Sequence, residues 1–325
     1  MDDIIKRVLN IIKSKDSENI LINNEKSKIN PHQIKDIVKI NTDKTTTFID
    51  GGNLEIIRSP SLSLFFNRIY SVTYQNNKRI NKKTIEFYSL IHAENKNNNI
   101  IYTTEYFFTR NKLNLKKYSF DSLDSKLCIG NKRTEISLIG NIIRRFSEIH
   151  LATESKSDII ILDGNLDITY PYEDELIKNL LEEKKCVLGL AKTSELITDS
   201  GNSVIPELKK LSTKKEWYYL INTNNHISTY KHYVKLNKNS EYIFRLDSSK
   251  NEIDDAISIL KENAKDPIFP GYPYGLIDAD RNARVSNKEK EMLEIKLRMK
   301  LGKNYEMLIP YINSLNAHNI LDSVS

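Results

Sequence analysis

Two aspartates stand where their neighbours would hold them still. Asp50 ends Thr47-Phe-Ile-Asp-Gly-Gly and Asp163 ends Ile159-Ile-Ile-Leu-Asp-Gly-Asn, 113 residues further on. In each string an apolar, strand-like run delivers one carboxylate, and glycine then turns the chain and leaves its backbone open to close approach. Side by side in a sheet, two such strand ends would offer hard oxygen ligands of the kind Mg²⁺ and Mn²⁺ prefer. Taken singly, an Asp-Gly pair also marks an ordinary turn after a strand.

The elements that must place these carboxylates follow from hydrophobic periodicity. A helix is predicted over 2–13, where Ile4, Ile5, Val8, Leu9 and Ile12 recur at helical spacing. A polar connector over 14–46, with a short helix near Pro31–Ile40, leads to the strand of Asp50. Segments 63–75, 84–92 and 99–108 read as an antiparallel meander, broken at Asn-rich turns and followed by a polar loop over 109–133. From Thr134, a plausible N-cap, the period becomes 3.6: Ile136, Ile139, Ile142, Ile143, Phe146 and Ile149 form one stripe. The strand of Asp163 comes next, then a helix at 172–184, a strand at 186–191, and a helix interrupted by a loop over 193–215. Strands near 217–235 and 241–247, helices at 252–263 and 276–301, and a short helix at 306–323 complete the chain. This is an α/β pattern: a mixed sheet flanked by helices, read as one domain over 46–325 with an N-terminal helical extension over 1–45.

Composition excludes several classes. The 325 residues are 39% hydrophobic and 28% charged, enough for a large core. No apolar run approaches the roughly 18 residues of a membrane span, and the N-terminus lacks a signal-peptide pattern, so a cytoplasmic location is expected. Two cysteines, Cys128 and Cys186, and six histidines without an HExxH motif leave neither a disulfide framework nor a zinc site. A metal here must be held mainly by carboxylates. The net charge of +6 permits a nucleic-acid partner without requiring one, and much of the lysine excess accompanies a general abundance of Asn and Ile.

Strand with Asp50, meander, helix, strand with Asp163, late helix with Asp278 and Asp280: that order is the order of an RNase H-like nuclease core. There, acidic residues from two strands and two helices converge on two cations about 3.5–4 Å apart, which stabilise the attacking and leaving oxygens of a phosphodiester. Without metal, four such carboxylates would repel one another.

Five strings carry a more specific likeness: Phe48-Ile-Asp-Gly-Gly, Ile161-Leu-Asp-Gly-Asn-Leu, Leu188-Gly-Leu-Ala-Lys-Thr-Ser, Ile243-Phe-Arg-Leu-Asp and Gly271-Tyr-Pro-Tyr-Gly-Leu-Ile-Asp-Ala-Asp-Arg. In this order, over about 45–322, the chain resembles the NurA family, archaeal-type DNA end-processing nucleases. The resemblance implies an RNase H-like homodimer with Mn²⁺- or Mg²⁺-dependent 5′→3′ exonuclease and single-strand endonuclease activity. It would act on single strands and duplex ends beside a HerA-type hexameric ATPase, in end resection for homologous recombination. The chain itself has no GxxxxGK[ST] phosphate loop.

Carried over by position, the resemblance makes Asp50, Glu148, Asp163 and Asp280 the metal ligands and catalytic set. Asp280 stands where the family often has histidine. Glu148 competes with Glu135 for the helix position, and its other reading is a surface pair with Arg144. Lys192, Arg245, Arg281 and Tyr274 are the candidate DNA contacts; Tyr272 could stack on bases, and Arg245 or Arg281 could instead pair with the carboxylates. His318 is read as structural or dimer-contacting, and the 2–13 helix as a docking element. A catalytically inactive partner-binding module and an RNA-directed nuclease of the same fold remain the competing readings.

Overall fold

Asparagine pairs shape the largest part of the fold. Asn76-Asn77 and Asn97-Asn98 all have positive φ, the conformation a two-residue hairpin turn of matching twist requires. They join β5 (Leu62–Gln75), β6 (Lys78–Lys96) and β7 (Asn99–Arg110), which follow β4 (Thr46–Arg58). The computed structural model describes residues 1–13, 19–22, 25–194, 196–221 and 229–313. Before β4 come α1 (Asp2–Lys13), β1 (Asn19–Ile22), β2 (Glu25–Lys28) and β3 (Lys35–Asp36). After β7 come β8 (Ser119–Asp121), α2 (Ile136–Glu154), β9 (Ile159–Asp163), α3 (Glu173–Glu183), β10 (Val187–Ala191) and α4 (Val204–Leu211). The chain continues through β11 (Trp217–Ile221), β12 (Tyr230–Lys235), β13 (Phe244–Ser248), α5 (Asp254–Asn263), α6 (Tyr274–Ala283) and α7 (Asn287–Leu301).

These elements divide into two compact units. One comprises 1–43, 163–166 and 186–274; the other comprises 44–162, 167–185 and 275–325. One division falls after Leu162 and another after Tyr274, so Asp163 ends a strand, and Tyr274 begins a helix, whose remaining residues belong to the second unit.

In the second unit a mixed sheet runs in the order β9-β4-β5-β6-β7-β8. β4 to β8 are antiparallel neighbours, whereas β9 runs parallel to β4, with Phe48 opposite Ile161 and Ile49 opposite Leu162. Ile159 to Leu162 are all buried, as a parallel strand covered on both faces must be. Asp158 fixes the start of this pairing: its carboxylate accepts from the backbone N–H and the hydroxyl of Thr45 at 3.0 and 2.8 Å. Those bonds hold the Asp158 carboxyl below its usual pKa. The isoleucine stripe of α2 covers β4, β5 and β6; Ile139, Ile142, Ile143, Phe146 and Ile149 are fully buried, each contributing roughly 1.5–3 kcal/mol.

The first unit holds an antiparallel run, β3-β11-β12-β13-β10. Its core joins Ile20, Ile29 and Ile34 to Val204, Leu208, Trp217 and Tyr233. Among the described residues of the segment before β4, α1 is followed by the antiparallel pair β1–β2, a 3₁₀ turn at Pro31–Gln33 and the short edge strand β3, and Ile20, Ile29 and Ile34 enter this core. The amphipathic face of α1 is exposed.

Local boundaries shift for identifiable reasons. α2 begins at Ile136 after Glu135, and Thr134 instead spends its carbonyl on the Tyr102 hydroxyl at 2.9 Å. The helix expected at 276–301 breaks into α6 and α7, because the Ser286 side chain accepts from Glu289 N and starts a new helix. The helix expected over 193–215 is confined to α4. The C-terminal helix is present over 305–313, and His318 lies outside the described residues.

His232 on β12 lies between Leu220 and Leu246 of the neighbouring strands and is 1% exposed. Burial pushes its pKa down to about 4 from 6.5. Between those values the unfolded chain binds a proton that the native state refuses, so stability rises with pH. The contribution is complete above pH 6.5 and falls away towards pH 4, by up to about 3 kcal/mol. Thermal unfolding of His232→Leu across this range should show a flatter dependence of Tm on pH than the parent; an unchanged slope would exclude His232 as its source.

Candidate metal centre

Asp50 is not at a strand end. β4 continues straight through Asp50-Gly51-Gly52 to Arg58, so the glycines there turn nothing. They admit helices. A Cβ on Gly51 would stand 2.5 Å from Glu148 Oε1 and 3.1 Å from Arg144 Cγ, both on α2, while one on Gly52 would overlap the backbone carbonyl of Ala283 on α6. Successive strand residues face opposite ways, so the pair lets one helix close on each face of the same strand. Asp163 does end its strand, and Gly164 turns the chain with φ 115°.

The β4–β9 register sets Asp50 beside Asp163, and α6 carries Asp280 to the Asp50 face of the strand. One oxygen each from Asp50, Asp163 and Asp280 lie within 4.8 Å of one another. At about 4 Å a pair of like charges costs roughly 1 kcal/mol in water and about 4 kcal/mol in a protein-like medium, so three together call for a cation. Asp50 accepts from Gly51 N at 2.7 Å. Asp163 accepts from the Lys192 ammonium at 2.8 Å and from the Tyr272 hydroxyl at 3.2 Å. Lys192 also lies over the Tyr272 ring, 5.4 Å from its centroid. Asp278 is engaged elsewhere: Tyr74 and Asn282 donate to it at 2.9 Å, and Arg79 lies 3.5 Å away.

Glu148 does not join that trio. It is 1% exposed rather than a surface charge, and the Arg144 guanidinium pairs with it while donating to the Gly51 carbonyl at 3.0 Å. Arg145 stands 3.8 Å from its other oxygen and donates to Glu173 at 3.3 Å. Glu173, buried at the start of α3, accepts from Thr169 N and Tyr170 N at 2.8 and 3.1 Å. Glu148 thus lies against the residue after Asp50, its charge shared by two arginines. Glu135 is about 20 Å away along the helix and pairs with Arg58 at 3.2 Å on the surface.

The candidate nucleic-acid contacts separate. Lys192 is at the carboxylates, and Arg281 and Tyr274 are exposed on α6. Arg245 is not available to a phosphate: it is buried and makes a two-pronged pair with Asp247 at 2.8 and 2.7 Å. Asp247 also accepts from Leu166 N at 2.9 Å, tying down the loop after Asp163. Tyr272, 4% exposed, offers its hydroxyl to Asp163 rather than its face to a base. Sequence reasoning missed Arg145 and Glu173; the Arg-Arg spacing before Glu148 was their one signal.

A sheet-and-helix scaffold that drives three carboxylates onto one point defines an α/β protein with a candidate divalent-cation centre. The particular family follows from comparison with known proteins. Residues 44–285 match the NurA domain, most of the chain, and the chain belongs to the NurA family. It is 26% identical over 206 residues to the DNA double-strand break repair nuclease NurA of Sulfurisphaera tokodaii, covering 53% of this chain and 60% of that protein. The crystal structure of the NurA nuclease from Sulfolobus solfataricus superimposes with a TM-score of 0.56 at 17% identity, covering 93% of this chain and 95% of that one. Endonuclease V of Ciona intestinalis, bound to DNA, gives a TM-score of 0.41 at 16% identity, over 90% of this chain and 99% of that one.

Two substitutions probe this geometry. Lys192→Met removes the cation that competes for Asp163 and should tighten Mn²⁺ binding by roughly two- to fivefold, given the modest worth of an exposed pair; calorimetric titration measures it. Gly52→Ala must displace the backbone of α6 and should cost about 1–3 kcal/mol in thermal unfolding, with weaker Mn²⁺ binding as Asp280 moves.

Proposed function

We propose that this chain is a divalent-metal-dependent DNA nuclease, with Asp50, Asp163 and Asp280 as its metal ligands. The observation that carries the reading is the approach of three carboxylate oxygens to within 4.8 Å of one another, in a chain of the NurA family. The donor set fits Mn²⁺ or Mg²⁺: all oxygen, anionic, and supplied by secondary structure rather than loops. When bound, one or two such ions would supply Lewis-acid polarisation of a phosphodiester and activation of water.

The chain's own residues divide the remaining work. The three aspartates hold the centre, while Glu148 stays with Arg144 and Arg145 and seats α2 against Gly51, behind Asp50. Tyr272 fixes the rotamer of Asp163. Lys192, half-exposed on a flexible stem, can leave Asp163 for a strand phosphate. Arg281 and Tyr274 are exposed where they can meet DNA, whereas Arg245 braces Asp247. In this reading the protein acts as a homodimer in the cytoplasm. It degrades 5′→3′ and cuts single strands, and a HerA-type hexameric ATPase feeds it duplex ends during double-strand-break resection. The exposed apolar face of α1 is the element proposed to dock that partner. Among the described residues no helix is long and apolar enough to cross a membrane.

Hydrolysis of an end-labelled single strand with Mn²⁺, against an EDTA control, tests the activity. Asp50→Ala and Asp280→Ala should each lower the rate by about 100-fold or more, since losing even the partner of a ligand commonly costs 10- to 100-fold. Calorimetry should show the same variants losing Mn²⁺ affinity. Cleavage at the parental rate by Asp50→Ala would refute the assignment.

A further inference from the structure

Beyond the carboxylates, the first unit carries an aromatic ladder. Phe269 and Tyr242 stack with ring centroids 5.5 Å apart and planes 20° from parallel, and Tyr242 continues onto Phe244 at 6.2 Å and 25°. Tyr272 meets Phe269 and Phe244 edge-on at 5.9 and 5.3 Å. The inner rings, Phe244 and Tyr272, are buried, but Tyr242 is 57% and Phe269 40% exposed, with Ile268 beside them at 91%. A single exposed apolar residue is ordinary; here the stack Phe269–Tyr242–Phe244 ends at its exposed member, Phe269, with Tyr242 and Ile268 exposed beside it.

The loops that present these rings are built. Gly271 N and Asn237 Nδ2 both donate to the Ala264 carbonyl, at 3.0 and 3.1 Å, and Ile268 N donates to Asp266 at 2.8 Å. Tyr242 N donates to the Ser240 hydroxyl at 3.1 Å. Lys238 and Lys265 are exposed on the same two loops, Lys265 pairing with Glu262 at 2.7 Å, and Lys209 pairs with Glu241 next to Tyr242. Parallel rings beside cations suit a strand of unpaired nucleotides, because every base has a flat face and every linkage a negative charge.

We infer that Tyr242 and Phe269 form a stacking platform for the unpaired bases of single-stranded DNA, one ring contact and one hydrogen bond from Asp163. The inference rests on the nuclease reading for the identity of the strand. A base laid on the exposed ring extends the ladder, and Tyr272 joins that ladder to the carboxylates. Strand position is thereby referred to the same tyrosine that orients Asp163.

The test needs no cleavage. A fluorescently labelled oligodeoxyadenylate and an abasic oligomer of equal length are titrated with the whole chain in EDTA, and anisotropy is read. The double variant Tyr242→Ala/Phe269→Ala should bind the oligodeoxyadenylate about tenfold or more weakly and the abasic strand as the parent does. Tyr242→Phe should keep parental binding, and unchanged thermal melting shows that the double variant is folded. Parental affinity of the double variant for the oligodeoxyadenylate would overturn the platform, as would an equal loss for both oligomers. Failure of the nuclease reading registers separately, as a parent that binds the strand and leaves it intact with Mn²⁺.

Discussion

The parallel pairing of β4 with β9 is the constraint on which the site depends. Phe48 opposite Ile161 and Ile49 opposite Leu162 leave Asp50 and Asp163 as the next positions of adjacent strands. A slip of one residue would turn every side chain of one strand to the other face and separate the carboxylates. Asp158, bonded to Thr45, holds that register at its open end. The register is also apolar in origin: Ile159 to Leu162 have no solvent side to choose, so their fit against β4 decides where Asp163 stops.

Bringing carboxylates together is costly, and the structure offsets the cost unevenly. Asp163 has a cation and a hydroxyl. Glu148 has two guanidiniums, one of them shared with Glu173. Asp50 has the adjacent N–H of Gly51. The lysine is half-exposed and can move, whereas Arg145, between two buried acids, is fixed. The centre therefore combines a mobile counter-charge beside the strand-end aspartate with a rigid one behind the helix glutamate.

Much of this was legible in the sequence. The paired Phe-Ile-Asp and Ile-Leu-Asp strings align in register, and the isoleucine stripe gave α2 its buried face. What could not be read depends on partners distant in the chain. Glu148 reads as a surface residue from periodicity, yet two arginines and the bare backbone of Gly51 make its burial affordable. Arg245 reads as a phosphate contact, but its acid is two residues away on the same strand, and a strand brings such residues to one face. The division into two units is invisible because it crosses the chain five times, inside β9 and α6 as well as in loops. The N-terminal hairpin was misjudged because the apolar residues in and beside it pack with α4, β11, β12 and Ile243, nearly two hundred positions away.

The Gly51-Gly52 pair has a mechanical meaning as well. In most three-layer packing, side chains cushion a helix from the strand beneath it, and their rotamers absorb small displacements. Here the α6 backbone at Ala283 bears directly on the α-carbon of Gly52, and the Glu148 and Arg144 side chains of α2 bear on that of Gly51, in an interior that resists compression. Asp280, on the same helix as Ala283, is thus gauged from the main chain that carries Asp50 with no side-chain layer between. On the α6 side the tolerance of the centre is that of a peptide unit rather than of settling side chains.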